Sequence, residues 1–293
     1  MNSTVYFNKL FYASGDWHRL LKNLISPFIK RKDLISLEKN FFFFFSFDKG
    51  DHIKFFAYPN DPQFGNIYND FSIKLNDYLL QFPSENPSSI TTPGECLWIN
   101  YANNTVNDTH DSQSKQMLLR RRFFSLFNAL SIYLLEVFDQ EETSVDGIIS
   151  IALFLQMKLA KILPAEFPSV IYSSIIRKVE INSEMNIRNI NLKDQIYQNC
   201  TIDFDENAED LYSYYEDTQL TEATAEREVI LLNNFLEQCR AILKESTTQA
   251  AIENLVMLVS LQLGLGSKQQ IYLYTMLEIF FKKRDSSILM TVK

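Results

Sequence analysis

The stretch FFFFFSFDKGDHIKFFAY, residues 41–58, carries the clearest structural signal in the sequence. It contains two aromatic runs, residues 41–47 and 52–58, which are separated by a short Asp/Gly turn. Two strand-forming runs joined by such a turn are typical of a β-hairpin. Because the first run is apolar on both faces, both faces should be covered, and we expect an inner strand of a sheet.

The second strand of this hairpin combines charged and aromatic positions. Alternation places His52, Lys54 and Phe56 on one face and the residues between them on the other. A charged side chain on a buried strand requires an ionic partner or a solvent-filled cleft. Two interpretations follow: either Asp48 or Asp51 satisfies this pair within the hairpin, or His52 and Lys54 serve a chemical function.

The residues around the hairpin predict a complete α+β unit. Residues 5–13 are rich in Tyr, Phe and Val and predict a strand, after which Ser-Gly-Asp supplies a turn and an N-cap. Residues 16–32 have the apolar spacing of an amphipathic helix, in which Pro27 predicts a kink or a break. A second helix is expected at residues 61–82 and a further strand at residues 95–101. The order strand, helix, strand, strand, helix, strand is that of a ferredoxin-like split βαβ sheet.

The rest of the chain is predicted to be mostly helical. Two polar loops, residues 83–94 and 102–114, precede this part. Apolar residues at helical spacing then recur in five segments: residues 117–138, 144–163, 221–244, 249–263 and 268–283. We therefore predict an α+β fold in two regions that form one compact unit. Residues 1–109 form the aromatic-rich sheet region, and residues 110–293 form a helical region packed on it.

The composition argues against several common classes of protein. The 293 residues include only seven glycines, three histidines and three cysteines, and the net charge is −8. Glycine-rich phosphate loops, serine-hydrolase motifs and metal-binding His or Cys spacings are missing, so we expect neither a cofactor nor a metal. The acidic excess argues against direct binding of nucleic acid. Neither a signal peptide nor a membrane span is recognisable, and we expect a cytoplasmic protein.

Two clusters of charge stand out in the helical part. Arg120, Arg121 and Arg122 lie within an apolar helix, so one of them is expected to turn inward and bind a carboxylate or an anionic peptide group. Residues 201–228 contain ten acidic side chains and predict a solvated loop followed by the start of a helix. A partial match to a calcium loop there lacks the turn glycine and the final glutamate, which argues against calcium binding.

The N-terminal sequence resembles a known family. Residues 11–31, FYASGDWHRLLKNLISPFIKR, followed by FFFFFSFDKGDHIKFF, resemble the start of the lantibiotic dehydratase C-terminal domain, also called the thiopeptide-type bacteriocin biosynthesis domain. Members of that family begin with a strand, an amphipathic helix, an aromatic strand and a His-x-Arg-x-Arg strand. His52 matches the histidine, whereas Lys54 and Phe56 stand at the two arginine positions. The resemblance covers residues 5–58.

This resemblance implies a function in peptide maturation. The family domain removes glutamate from glutamylated Ser or Thr of a ribosomally made precursor peptide, and relatives assemble the pyridine ring of thiopeptides. By this resemblance the chain would be a lyase, with His52 and Lys54 as catalytic residues and the three arginines as substrate-binding residues. Its expected partners are a precursor peptide and a separate glutamylating dehydratase subunit.

Two departures from the family pattern leave alternatives open. The arginine-tyrosine-glycine-glycine segment of the family has no counterpart, and residues 171–182, where a catalytic histidine is expected, contain none. Either the acid–base function has moved to His52, His110 or a tyrosine, or elimination activity has been lost. In the second case the chain would be a catalytically degenerate subunit that binds the peptide or docks another enzyme. A third reading is an unrelated α+β protein.

Overall fold

The chain divides into two compact units, Met1–Val145 and Asp146–Lys293. The computed structural model describes residues 5–30, 40–47, 50–58, 64–85, 102–109, 115–116, 118, 120–140, 145–164, 168–182, 190–216 and 226–291. The first unit contains a small antiparallel sheet with helices, and the described part of the second unit is helical. The predicted α+β class with a helical C-terminal region is therefore confirmed.

The sheet of the first unit has four strands in the described residues. They are β1 (Tyr6–Phe11), β2 (Phe41–Ser46), β3 (His52–Ala57) and β4 (Thr105–Asn107). Their order across the sheet is β2-β3-β1-β4, and every neighbouring pair is antiparallel. This is the arrangement that a split βαβ sequence of elements produces, and the hairpin predicted at residues 41–58 forms its β2–β3 half.

Strand β4 lies elsewhere than expected. The strand predicted at residues 95–101 falls outside the described residues, and β4 lies within a stretch that we predicted to be a polar loop. Its sequence Thr-Val-Asn pairs with β1 at the edge of the described sheet and remains only half-buried. An edge strand of three residues needs no alternation of apolar and polar side chains, so sequence patterning could not reveal it.

The helical segment after β1 changes its winding along its length. It begins as a 3₁₀ turn, Ser14–Asp16, and continues as an α-helix at Trp17–Leu20. A π-helical turn, Leu21–Ile25, follows, and an α-helical turn, Ser26–Ile29, completes the segment, which we call α1. The segment continues as a helix through Pro27, so the predicted break is absent, and the change of winding lies just before the proline, which has no N–H to donate to the preceding turn.

Helices α1 and α2 (Phe64–Gln81) cover one face of the sheet with aromatic contacts. Trp17 of α1 stacks on Phe45 with ring centroids 4.7 Å apart, and Phe71 of α2 lies 5.7 Å from Phe55. The two helices also meet each other, since the Phe28 and Phe71 rings stack at 4.0 Å. Each of these rings is almost fully buried. This face is therefore the main hydrophobic core of the first unit.

A third helix covers the edge of strand β2. Helix α3 (Phe124–Gln140) follows a 3₁₀ turn, Arg121–Phe123. The amide of Asn128 donates to the Phe41 carbonyl at 2.7 Å, and the Phe43 N–H donates to the Ser131 hydroxyl at 2.9 Å. Strand β2 is thus buried on both faces as predicted, but it lies at the edge of the described sheet and not inside it. Helix α3 supplies the cover that we expected from a further strand.

A cluster of polar residues holds β4 against β1. Asn104 has a φ of 60°, in the left-handed region, and its N–H donates to the Phe11 carbonyl at 2.8 Å. Its side-chain oxygen accepts from the Ser84 N–H at 2.8 Å, and the Ser84 hydroxyl accepts from the Ala13 N–H at 2.9 Å. Asparagine tolerates this conformation better than most residues do. The loop before β4 is thereby tied to the end of α2 and the end of β1.

The second unit is built from long helices. In chain order they are α4 (Val145–Ile162), α5 (Pro168–Asn182), α6 (Ile190–Glu216), α7 (Glu226–Glu245), α8 (Gln249–Gln262) and α9 (Ser267–Thr291). Periodicity predicted α4 and α8 close to these bounds. It predicted α7 at residues 221–244 and α9 at residues 268–283, whereas α9 continues to Thr291. Helix α5 was not predicted. Within the described part of the chain, no helix is long and apolar enough to cross a membrane.

In the acidic segment, residues 201–216 are helical where we predicted a solvated loop, whereas the predicted start of a helix is present at Glu226, where α7 begins. Residues 201–216 belong to α6, which begins at Ile190 and has non-helical backbone angles at Asn207. Asp203 accepts from the Tyr272 hydroxyl at 2.6 Å, and Asp205 pairs with Lys283 at 2.6 Å. These partners on α9 hold two of the carboxylates, so the helix forms although its composition is dominated by acidic residues.

Candidate functional site

The two predicted catalytic residues lie side by side on β3. His52 and Lys54 are each only 1% exposed, and both face the side of the sheet opposite α1 and α2. The strand register puts Phe56 on the same face, so the predicted alternation along this strand is confirmed. A buried lysine and a buried histidine two positions apart are uncommon in a strand whose other residues are apolar.

A second buried lysine, which the sequence analysis missed, lies directly opposite Lys54. Lys9 of β1 is 4% exposed and is the cross-strand partner of Lys54. Side chains at such positions have Cβ atoms about 5 Å apart, so two cationic groups share one small region of the sheet. The available signal was the pair Asn8-Lys9, which interrupts an otherwise aromatic and aliphatic strand.

These residues form part of a polar band across the sheet. Ser46 of β2 lies opposite His52, and Asn107 of β4 lies opposite Lys9. We call the set Lys9, Ser46, His52, Lys54 and Asn107 the sheet-face site. It combines one imidazole, two ammonium groups, one hydroxyl and one amide on a single face. Such a set can exchange a proton and stabilise negative charge.

A contact of Nδ1 fixes the tautomer of a neutral His52. Its Nδ1 lies 2.8 Å from the Gly50 carbonyl, and because a carbonyl oxygen only accepts, Nδ1 must carry the hydrogen. In the neutral ring Nε2 is therefore the basic nitrogen. The Phe11 ring lies 4.7 Å from the imidazole and restricts its rotation. Gly50 itself has a φ of 109°, which only glycine adopts without strain.

Asp51 links the hairpin turn to the start of α1. Its carboxylate accepts from the Ser14 N–H at 2.9 Å, and its carbonyl accepts from the Tyr12 N–H at 3.1 Å. The carboxylate thus has a backbone donor of its own. Asp48, the other residue that we considered as a partner for the polar pair, lies outside the described residues.

The three arginines lie on the turn that leads into α3. Arg120 is half-buried, and Arg122 is exposed with its guanidinium 4.6 Å from the centre of the Phe123 ring. The side chain of Arg121 is outside the described part of the structure. The following residue on α3, Phe124, packs against Phe42. The structure therefore joins His52 to Lys54 on one strand, whereas the arginines belong to a separate element. Their substrate-binding role stays a prediction.

Tyr58 follows β3 and offers a further proton donor near this face. Burial raises the pKa of its hydroxyl to about 12, so the group stays protonated at neutral pH. Its ring lies 4.7 Å from Phe124 and 5.7 Å from Phe42. His110, which we also considered for acid–base work, lies outside the described residues. Within the described residues, no group of three or more His, Cys, Asp or Glu side chains could hold a metal ion.

Comparison with known proteins gives a clear answer only for the fold. No family model matches the chain, and no curated protein matches its sequence. Among solved structures, the pyridine synthase TbtD from thiomuracin biosynthesis matches with a TM-score of 0.66 at 14% identity. The alignment covers 95% of this chain and 98% of TbtD. The chain shares its fold with TbtD.

A second solved structure, TsrL, supports the same conclusion. It matches with a TM-score of 0.58 at 11% identity, over 97% of this chain and 96% of TsrL. The fold is thus one that occurs in thiopeptide biosynthesis, which agrees with the thiopeptide side of the family resemblance. These matches give no specific support to the lantibiotic dehydratase domain itself. At such low identities they concern the fold alone.

Proposed function

We propose that this protein matures a ribosomally synthesised bacteriocin-type peptide by elimination at a modified Ser or Thr. The observation that carries the proposal is the sheet-face site, on a fold that matches TbtD over almost the full length of both chains. In its specific form the proposal is that glutamate leaves a glutamylated side chain and a dehydroamino acid results. A precursor peptide is then the substrate, and a separate subunit supplies the glutamyl group.

The sheet-face site contains the residue types that this reaction requires, one acid–base group and two cations. Nε2 of His52 takes the Cα proton, the Cα–H electron pair forms the Cα=Cβ bond, and the Cβ–O bond breaks. Its electron pair leaves with the carboxylate of the departing glutamate. Lys54 and Lys9 stabilise the enolate that develops on the peptide carbonyl and the leaving carboxylate. Lysine supplies charge here without the bidentate geometry of arginine.

Arg120, Arg121 and Arg122 complete the proposal as binding residues for the precursor. A guanidinium holds a carboxylate or a peptide carbonyl at some distance from the reacting carbon. The exposure of Arg122 is compatible with such a role. Its contribution should appear in KM more than in kcat, because binding at a remote position acts on the ground state and the transition state alike.

The test is an elimination assay with a glutamylated precursor peptide and mass spectrometry. Wild-type protein should release glutamate, whereas His52→Asn and Lys54→Gln should slow the release at least roughly hundredfold. Lys74→Gln is the matched control, because Lys74 is an exposed lysine on α2, and its rate should equal that of the wild type. Circular dichroism melts should show that both site variants remain folded.

Two results would contradict the catalytic proposal. Wild-type protein that releases no glutamate from any glutamylated precursor has no elimination activity. Release that is unchanged in folded His52→Asn and Lys54→Gln variants would place the chemistry elsewhere. If precursor binding persists without any turnover, the chain is the catalytically degenerate docking subunit.

A second candidate function is ring formation, which the match to a pyridine synthase specifically favours. In this version the substrate is a precursor that already contains dehydroamino acids, and the product contains a pyridine ring. The same variants in an assay with a dehydrated precursor separate the two functions. Aromatic absorbance and a product mass without glutamate loss would indicate ring formation, whereas loss of glutamate alone would indicate elimination.

A further inference from the structure

A cavity of about 260 Å³ lies in the second unit between α5, α6 and α9. We call it the α5–α6–α9 cavity. The buried side chains of Ile176 and Ile271 form apolar walls. At roughly 30 Å³ for each water molecule, the volume equals that of roughly nine waters. It therefore suits a small molecule better than a stretch of peptide.

Glu278 of α9 lines this cavity, and its two contacts with other described residues share one carboxylate oxygen. Its side chain is only 14% exposed, and its Oε1 accepts from the Ser173 hydroxyl and pairs with Lys282 Nζ at 2.7 Å. Both partners use the same oxygen, and among the described residues Oε2 has no partner. A carboxylate oxygen without a protein donor is a strong acceptor for an ammonium group.

Two further polar groups line the cavity and lack partners. Thr275 is 5% exposed, and its hydroxyl makes no hydrogen bond to another described residue. Arg177 of α5 is exposed, and its guanidinium has no ionic partner in the described part of the chain. The Thr275 hydroxyl can therefore hydrogen-bond to a ligand or to water in the cavity. The cavity thus combines the Glu278 carboxylate, the Thr275 hydroxyl and the Arg177 guanidinium with apolar walls. It is also lined by Ser173, Glu180 and Tyr197.

We propose that the α5–α6–α9 cavity binds a free α-amino acid with an apolar side chain. The ligand ammonium donates to Glu278 Oε2 and the Thr275 hydroxyl, and the ligand carboxylate pairs with Arg177 at the mouth. The apolar side chain packs against Ile176 and Ile271. A zwitterion uses Glu278, Thr275 and Arg177 together, whereas a simple amine leaves Arg177 unused and a simple acid leaves Glu278 unused. This site is independent of the sheet-face site and of the proposed reaction.

Isothermal titration calorimetry with three matched probes tests the proposal. L-phenylalanine carries both charges, phenethylamine lacks the carboxylate, and 3-phenylpropionate lacks the ammonium. Wild-type protein should bind L-phenylalanine roughly tenfold or more tightly than either analogue, because each charge-assisted hydrogen bond contributes that much. In the Arg177→Gln variant, L-phenylalanine should bind no more tightly than phenethylamine. Thr275→Val, which keeps the shape of the side chain, should weaken both ammonium-bearing probes.

The control variant is Arg240→Gln. Arg240 is an exposed arginine on α7 that pairs with Glu237 and does not line the cavity. The affinities of this variant for the three probes should therefore equal those of the wild type. Arg177→Gln should fold normally because the side chain is exposed and without a described partner. No detectable binding of L-phenylalanine at millimolar concentration would overturn the proposal. Equal affinity for the three probes, or an unchanged affinity in folded Arg177→Gln, would do the same.

Discussion

Glu253 illustrates at the residue scale how this protein holds a buried charge. The residue lies on α8 with almost no exposure, and its carboxylate accepts hydrogen bonds from Lys178 and Gln249. Burial alone would raise the pKa of this carboxyl. Hydrogen bonds from Lys178, Ser174 and Gln249 outweigh burial, so the pKa lies below the usual value for glutamate. The folded protein therefore favours the charged form.

The Glu253→Gln variant should lose a pH-dependent part of the stability. A carboxyl whose pKa is lowered by folding stabilises the protein above its unfolded pKa of about 4.3, and the contribution disappears as the pH falls through the folded value. At pH 7 the free energy of unfolding of the variant should be about 1–3 kcal/mol lower than that of the wild type. Urea unfolding at pH 7 and at pH 3 measures this, and the difference should shrink at pH 3.

The control for this measurement is Glu237→Gln. Glu237 is an exposed residue of α7 that pairs with Arg240 three residues later. Exposed pairs of this kind contribute little, so the unfolding free energy should change by less than about 0.5 kcal/mol at either pH. An equal loss for both variants, or a Glu253→Gln loss that stays constant with pH, would contradict the role assigned to the buried carboxylate.

Lys9 marks a limit of sequence reasoning at this scale. The alternation along β3 was sufficient to put His52 and Lys54 on one face, because that property depends only on the strand itself. The approach of Lys9 to Lys54 depends on how β1 pairs with β3, and their residue numbers differ by 45. Local spacing contains no information about such a register. The sheet-face site could therefore be predicted in part, whereas its second lysine required the structure.

At the element scale, periodicity predicted most of the elements that bury a continuous apolar surface, although it missed α5, which buries Ile171, Ile175 and Val179. The β2–β3 hairpin and helices α2, α4, α8 and α9 belong to this class. Strand β4 and helix α6 do not, because one is a short half-buried edge and the other carries many acidic residues. Contacts with residues that are distant in the sequence stabilise these elements, and the local composition does not indicate such contacts.

The cover of the β2 edge by α3 leads to a prediction about Ser131. Its hydroxyl is fully buried and accepts from the Phe43 N–H, so Ser131→Ala leaves a buried backbone donor without a partner. The unfolding free energy should fall by about 1–3 kcal/mol. Ser125→Ala on the exposed side of the same helix is the control and should change it by less than about 0.5 kcal/mol.

Chemical denaturation of the two α3 variants measures this difference. A Ser131→Ala variant as stable as Ser125→Ala would show that the helix covers the strand edge by apolar packing alone. Rings such as Phe127, which lies 5.0 Å from Phe44, would then supply the cover.

At the scale of the whole molecule, two buried thiols report on the integrity of the second unit. Cys200 and Cys239 are free and buried. Burial raises the pKa of Cys200 to about 12 and also raises that of Cys239. Because of these raised pKa values, almost no thiolate is present in the folded protein at neutral pH. Only the thiolate is nucleophilic, so both thiols are unreactive while the protein is folded.

The reaction of these thiols with a disulfide reagent should therefore follow unfolding. In a Cys96→Ser background, so that Cys200 and Cys239 are the only thiols, the native protein should react at least roughly a hundredfold more slowly than the urea-unfolded chain. The midpoint of reactivity against urea should coincide with that of circular dichroism. Rapid reaction of both thiols in the absence of urea would show that the second unit opens without global unfolding.

The position of α3 in the chain has a consequence for synthesis of the protein. The β2–β3 hairpin is complete at Ala57, whereas the helix that covers its edge begins about seventy residues later, at Phe124. At roughly 5–20 residues per second, the ribosome needs several seconds to make the intervening chain. During that interval a strand of five consecutive phenylalanines presents unpaired backbone groups to neighbouring nascent chains. The yield of folded protein therefore depends on how well those chains are kept apart during these seconds.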